Sequence, residues 1–165
     1  MQIDRRSLSD RLAAFPRLGL ANLPTPLEPM KRLTAHLGGP RLWVKREDAT
    51  GLGFDAEPAR VRADVVAFAR EASDLLDVPF DEATVEVVAG HAGPAYGVPH
   101  EATIEAIRLA GRLEALPLDP VYSGKALAGL IALIRQGRWR KDEDVVFLHT
   151  GGAPALFAYQ SALGI

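Results

Sequence analysis

The residues of this chain best placed to do chemistry lie in Asp144 to Leu163, DVVFLHTGGAPALFAYQSAL. Val145 to His149 reads as a buried strand, Thr150-Gly151-Gly152 as a tight turn, and the segment from Pro154 as a helix. In an α/β unit a ligand sits just beyond the C-terminal strand ends, where helix N-termini point free N–H groups outward. Gly151 and Gly152 permit close approach of the backbone, and Thr150 adds one hydroxyl that both donates and accepts. A plain strand-to-helix connection has the same residues, so at this level both readings stand. His36, His91, His100 and His149 have no HExxH-like spacing, and no metal site is expected. His149, at a strand end, is expected to satisfy a buried hydrogen bond. Covalent catalysis by an amine needs a desolvated lysine of lowered pKa. Neither Lys45, expected to pair with Glu47 or Asp48, nor Lys125, one turn into a helix, is expected to serve that way.

Composition bounds the rest. The chain has 165 residues, enough for one domain with a real core, and its 48% hydrophobic and 24% charged content is that of a soluble globular protein. A formal charge of −2 gives no reason to expect nucleic acid or an anionic membrane as partner, and Arg138-Trp139-Arg140-Lys141 is read as a solvated turn. Without cysteine there is no disulfide, thiolate nucleophile or Cys-type zinc site. No apolar run reaches membrane-span length, and MQIDRRSLSD lacks the apolar core of a secretory signal, so a cytoplasmic location is expected.

The elements that must position these residues follow from periodicity. A short helix capped by Ser7 or Ser9 runs to about Phe15; prolines 24 and 26 force extended backbone; a second helix spans roughly Pro29 to Leu37 and stops at Gly38-Gly39. Arg41 to Lys45 alternates as a strand. From Pro58 an amphipathic helix presents Val61, Val65, Phe68, Ala69, Ala72, Leu75 and Leu76 on one face. Thr84 to Val88 reads as a β-branched strand, followed by the glycine-rich loop Gly90 to Pro99. Helices then cover about His100 to Ala115, with Ile104, Ile107, Ala110 and Leu113 inward, and a segment capped by Ser123, with Leu127, Leu130, Ile131 and Ile134 inward. Three strands among five or six helices make a narrow sheet, too small to cover the apolar faces those helices carry.

Two blocks explain the shortage. LPTPLEPMKRLTAHLGGPRLWVKREDATGLGF (Leu23 to Phe54) resembles the N-terminal part of D-cysteine desulfhydrase and 1-aminocyclopropane-1-carboxylate deaminase, pyridoxal-phosphate enzymes of the tryptophan-synthase-β fold type. The segment from about Ala59 to Leu163 resembles their C-terminal part, above all in GPAYGVPHEATIEAIRLAGRLEALPLDPVYSGKALAGLIALI and FLHTGGAPALFAY. The resemblance implies a truncated three-layer αβα fold, a small parallel sheet of about three strands in a single domain, 1–165, with the family's two ends joined near residues 54–59. Family members are considerably longer. In them a GLGF-like turn continues into Gly-Gly-Asn-Lys, whose lysine forms the Schiff base; here Phe54 is followed by Asp55-Ala-Glu-Pro-Ala-Arg60. The loops that grip the substrate carboxylate and the cofactor phosphate have no counterpart either.

Carried over residue by residue, the resemblance implies a cofactor-binding Thr150 that hydrogen-bonds the pyridine nitrogen of pyridoxal 5′-phosphate, with Gly151 and Gly152 beside it. A neutral hydroxyl there leaves the ring nitrogen largely unprotonated. Tyr96 in PAYGVP and Tyr122 in DPVYSGK match two active-site tyrosines, candidates for substrate contact, nucleophilic attack or proton transfer, although packed aromatics with satisfied hydroxyls are the competing reading. Ser123 stands where the deaminase branch tends to have glutamate, which tilts the ancestry toward the desulfhydrase side. The implied partner is a small amino acid. Uncovered helix faces predict a homo-oligomer or self-association. Two functions are therefore expected: a lyase or deaminase of this family, inactive as this chain for want of its lysine, or a non-catalytic α/β binding module.

Overall fold

The computed structural model describes residues 10, 26–46, 57–91 and 93–164. It divides into two compact units, one formed by Met1–Leu23 and Asp55–Ala89 and the other by Pro24–Phe54 and Gly90–Ile165. The expected helix to Phe15, the Glu47 and Asp48 partners of Lys45, and the Thr50–Phe54 loop lie outside the described residues.

The larger unit is built on a three-stranded sheet of order β1-β2-β3, where β1 is Leu27–Pro29, β2 is Arg41–Arg46 and β3 is Asp144–His149. β2 and β3 pair in parallel, Arg41 opposite Asp144 and Arg46 opposite His149, so their C-terminal ends coincide. β1 pairs antiparallel with β2, Leu27 opposite Lys45. The sheet is therefore mixed, with one parallel pair, rather than wholly parallel. Prolines concealed β1 in the sequence; Pro29 is tolerated because β1 is an edge strand.

Helix α1 (Lys31–Leu37) follows β1 and ends at Gly38 in the left-handed region, φ 63°, as its Gly-Gly pair predicts. No local side chain caps its start. The free Leu33 N–H instead donates to Glu114 Oε1 at 2.7 Å, from the far end of the helix Glu101–Glu114. Met30 N donates to Leu42 O and Leu42 N to Thr34 Oγ1, which locks α1 to β2. The core gathers Met30, Leu33, Leu42, Val44, Ala106, Ile107, Ala110, Leu116, Leu118, Leu127, Ala128, Ile131, Ile134, Phe147 and Leu163. It lies on one face of the sheet. On the other face Val146 and Leu148 remain 54% and 55% exposed.

The smaller unit, in its described residues, holds α2 (Pro58–Leu76) and a 3-10 turn at Glu82–Thr84. Arg62 reaches the carbonyls of Glu82 and Val85, and Arg70 pairs with Glu82, so the turn is tied to the helix. Two expectations fail here. Of the stripe predicted to be inward, Val65, Phe68 and Leu75 are exposed, and the buried residue is Val66. Thr84 to Val88 forms no strand. β-Branched residues favour a pleated, half-buried surface beside a partner strand, and among the described residues no strand runs alongside this one.

Helices α3 (Glu101–Glu114) and α4 (Ser123–Arg135) complete the larger unit and pack on each other. Glu105 and Arg135 join them in a two-pronged ion pair, 2.6 and 3.0 Å. After Gly151-Gly152 the chain enters a 3-10 segment, Ala153–Tyr159, and a four-residue helix α5, Gln160–Leu163, where a single helix was expected.

Candidate active site

The end of β3 and the N-terminus of α4 meet around one carboxylate, Asp119, which is 1% exposed, and the loop Gly93–Val98 lies against α4 through Tyr122 and Lys125. Its Oδ1 accepts from the N–H groups of Val121 and Tyr122 at 2.8 and 2.7 Å. Its Oδ2 accepts from Ser123 N at 2.9 Å and from the Ser123 hydroxyl at 2.5 Å. The Asp119 carbonyl accepts from Gly124 N at 2.8 Å, and Ser123 Oγ in turn accepts from Asp119 N. Ser123 was expected to cap α4; the N-cap position is Tyr122, without a side-chain capping bond, and Ser123 is the first helical residue, its N–H and hydroxyl both donating to Asp119. The available signal was Asp119-Pro120, since an aspartate before proline favours a turn that returns its carboxylate to the following N–H groups.

The Thr150-Gly151-Gly152 turn packs onto that network. Gly151 and Gly152 have φ values of 100° and 95°, where an L side chain is strained. A Cβ on Gly152 would lie 2.5 Å from Asp119 Oδ2. The second glycine thus serves a close approach to a carboxylate of the same chain. Thr150 is half-buried at the mouth of β3. His149, 6% exposed, donates from Nε2 to Pro117 O at 3.0 Å, the buried hydrogen bond its position predicts, and pins β3 to the loop that carries Asp119.

Tyr122 leaves this network and meets Tyr96. The hydroxyls are 2.5 Å apart and the rings stand edge to face, 67° between planes, with centroids 6.0 Å apart. Tyr96 is 69% exposed and Tyr122 half-buried, so the pair opens to solvent. The hydrogen bond to Tyr96, helped by desolvation and by the Tyr96 and Asp119 charges, holds the Tyr122 phenol above its ordinary pKa. The Tyr122 phenol is thereby held in its neutral form at neutral pH. Tyr122 can donate a hydrogen bond or a proton; it is not poised as an anionic nucleophile.

Tyr96 and Gly97 occupy the centre of a turn closed by Val98 N to Ala95 O at 3.2 Å, with Gly97 at φ 70°. Tyr159 supports the turn from outside: its hydroxyl lies 3.0 Å from where a Gly97 Cβ would be. Sequence reasoning missed Tyr159, because nothing local links it to a turn so far away in the chain. Lys125 is 3% exposed, and its ammonium donates to Ala95 O at 3.3 Å. Lys125, not expected to act as a covalent catalyst, is buried, and desolvation lowers its pKa against the opposing pull of Asp119. The structure therefore joins Tyr122 and Gly152 through Asp119, Tyr96 through the Tyr122 hydroxyl, and sets Thr150 beside Gly152 in sequence. No group of three or more His, Asp or Glu placed to hold a metal occurs among the described residues.

A strand end, a glycine turn and a hydrogen-bonded tyrosine pair thus come together on an α/β unit. A family model described as pyridoxal-phosphate dependent enzyme matches residues 53–151, and the chain belongs to that family. It is 42% identical over 113 residues to a 1-aminocyclopropane-1-carboxylate deaminase of Burkholderia multivorans, which covers 67% of this chain and 33% of the relative. A Methylobacterium protein of the same description is 45% identical over 114 residues, 68% of this chain and 34% of its own. A probable 1-aminocyclopropane-1-carboxylate deaminase of Schizosaccharomyces pombe is 39% identical over 125 residues, 74% and 37% respectively. The chain thus spans about a third of the length of the curated relatives it matches. A crystal structure of an ACC deaminase homologue shares the fold, with a TM-score of 0.72 at 16% identity over 97% of this chain and 99% of that one.

The family's cofactor is pyridoxal phosphate, and the site can be tested against it. The half-buried Thr150 hydroxyl and the glycine turn suit the edge of a pyridine ring. The α4 N-terminus does not suit the phosphate, because Asp119 already takes the N–H groups of Val121, Tyr122, Ser123 and Gly124. The Lys125 amine is turned to the Ala95 carbonyl. The described residues fit one edge of the cofactor and leave its phosphate and its aldehyde without a matching group.

Proposed function

We propose that this chain carries the substrate-facing part of a site like that of the 1-aminocyclopropane-1-carboxylate deaminases and D-cysteine desulfhydrases, and that alone it does not turn over substrate. The reaction of such a site opens a cyclopropane ring, or breaks a C–S bond, on a small amino acid and releases ammonia with an α-keto acid. The observation that carries the reading is the hydrogen-bonded Tyr96–Tyr122 pair anchored beside the glycine turn by Asp119. Its role is to hold a proton at the Tyr122 or Tyr96 oxygen and donate it toward the reacting substrate; Thr150 would meet the ring nitrogen, and the bound cofactor would supply the electron sink.

Inactivity follows from the missing Gly-Gly-Asn-Lys run and from the capped α4 N-terminus. A junction of the family's two ends near residues 54–59 belongs to this reading. Among the described residues no helix is long and apolar enough to cross a membrane, and a cytoplasmic location belongs to this reading. The test is titration with pyridoxal phosphate, borohydride reduction and peptide mapping. The expected outcome is no discrete visible band and label scattered over accessible lysines. A band with label on Lys45 or Lys125 alone would overturn the inactive reading.

A second reading, a non-catalytic module that self-associates, is favoured by one observation. Val146 and Leu148 stand exposed side by side on the sheet face opposite the core, on a strand at the sheet's edge.

A further inference from the structure

We propose that Lys125 is a positioning residue whose ammonium, from the first turn of α4, holds the Ala95–Val98 turn in the geometry that brings the Tyr96 hydroxyl against Tyr122. Burying an ammonium among core residues is costly unless its hydrogen bonds accomplish something an apolar side chain could not. Lys125 is 3% exposed on a helix whose neighbouring inward residues, Leu127, Ala128 and Ile131, are apolar. Its ammonium donates to the carbonyl that closes the tyrosine turn: Ala95 O accepts Lys125 Nζ at 3.3 Å and Val98 N at 3.2 Å.

The turn is one whose shape needs holding. A positive φ at Gly97, the third of four residues, is the requirement of a type II turn, and Tyr96 at the second position takes its direction from that turn. The loop also wraps the amine at its start. Gly93, at φ 80°, comes so near that a Cβ there would lie 3.5 Å from Lys125 Nζ and 2.9 Å from Val98 O. One helix end thereby fixes both tyrosines: Asp119 fixes Tyr122 through its backbone N–H, and Lys125 fixes Tyr96 through the turn. The catalytic meaning of this device rests on the reading of the tyrosine pair given above; the positioning itself does not, and can be measured without cofactor.

The experiment is an ultraviolet titration of tyrosine ionisation in the full chain, with folding checked by circular dichroism. In the unaltered protein the Tyr122 step is expected above the ordinary value of about 10. In Lys125→Met that late step should fall back toward about 10, and Lys125→Gln, which keeps an N–H donor, should restore it. A late step that persists in Lys125→Met, or a glutamine variant that behaves like methionine, overturns the proposal. Should the methionine variant fail to fold, Gly97→Ala opens the same turn from the side of Tyr159 and leaves the buried amine intact. Loss of the late step there supports the turn as the device, and its retention overturns it. Tyr96→Phe identifies the step by removing it. A late step set by Lys125 together with a discrete cofactor band labelled on a single lysine would uphold the positioning role while overturning the proposed function.

Discussion

Asp119 shows how much a single side chain can organise. Four residues before the start of α4, its carboxylate takes the N–H groups of Val121 and Tyr122 in the approach to the helix, the N–H of Ser123 that opens it, and the Ser123 hydroxyl. Its carboxylate also forms the wall against which Gly152 packs. Asp119→Ala should cost about 2–4 kcal/mol, the loss of a cap compounded by buried donors left unpaired. Urea unfolding measures it, and a change below about 0.5 kcal/mol would show that the network is dispensable. Gly152→Ala should destabilise by about 2 kcal/mol or more through both its left-handed backbone and the Asp119 clash. The same measurement checks it, and the expected asymmetry is informative: alanine at Gly137, also at positive φ but with open space around it, should cost less.

Among the elements, the parallel pair β2–β3 is secured at its N-terminal end by polar contacts. Arg41 donates twice to Asp144, at 2.6 and 2.7 Å, and the Trp43 indole N–H adds a third hydrogen bond at 2.9 Å. The Arg41 guanidinium, then Trp43, hold the Asp144 carboxyl at about 2. A folded-state pKa below that of the unfolded chain, about 3.9, stabilises the fold above that value and ceases to do so as pH falls through the folded-state value. Asp144→Asn should therefore lower the thermal midpoint at neutral pH, with the difference shrinking between about pH 4 and pH 2 and gone below it. A difference that stays constant across that range would show that the carboxylate's charge is not what matters. Both partners are half exposed, so the effect should also weaken with added salt.

For the whole molecule, the balance between buried and exposed apolar surface sets behaviour. The core fills one side of the sheet, whereas Val146 and Leu148 on the other side, and Val65, Phe68 and Leu75 on α2, stay exposed. A chain spanning about a third of its relatives is expected to carry such faces, because the layers that would cover them belong to the rest of the fold. Sedimentation velocity should find concentration-dependent association, and Val146→Lys with Leu148→Lys should return the protein toward monomer. A monomer at every concentration in the unaltered chain would discard the self-association reading.

Much of this was legible in the residues. Helical spacing in α3 and α4 and the Gly-Gly stop of α1 are local signals, set by backbone and side-chain period within a few residues, and the structure keeps them. The family, too, was legible, because motifs such as HTGG and VYSGK carry it in consecutive residues. What the tertiary structure decided depends on neighbours distant in sequence. It put β1 at an edge where its proline is harmless, denied Thr84–Val88 the partner strand it needed, and turned Val66 rather than Val65 inward. It also brought Lys125 beneath Ala95, Tyr159 against Gly97 and Asp119 against Gly152. A local period tells which face of an element is apolar; what that face meets, and which polar group is buried there with which partner, is settled only when separate segments compete for the same space.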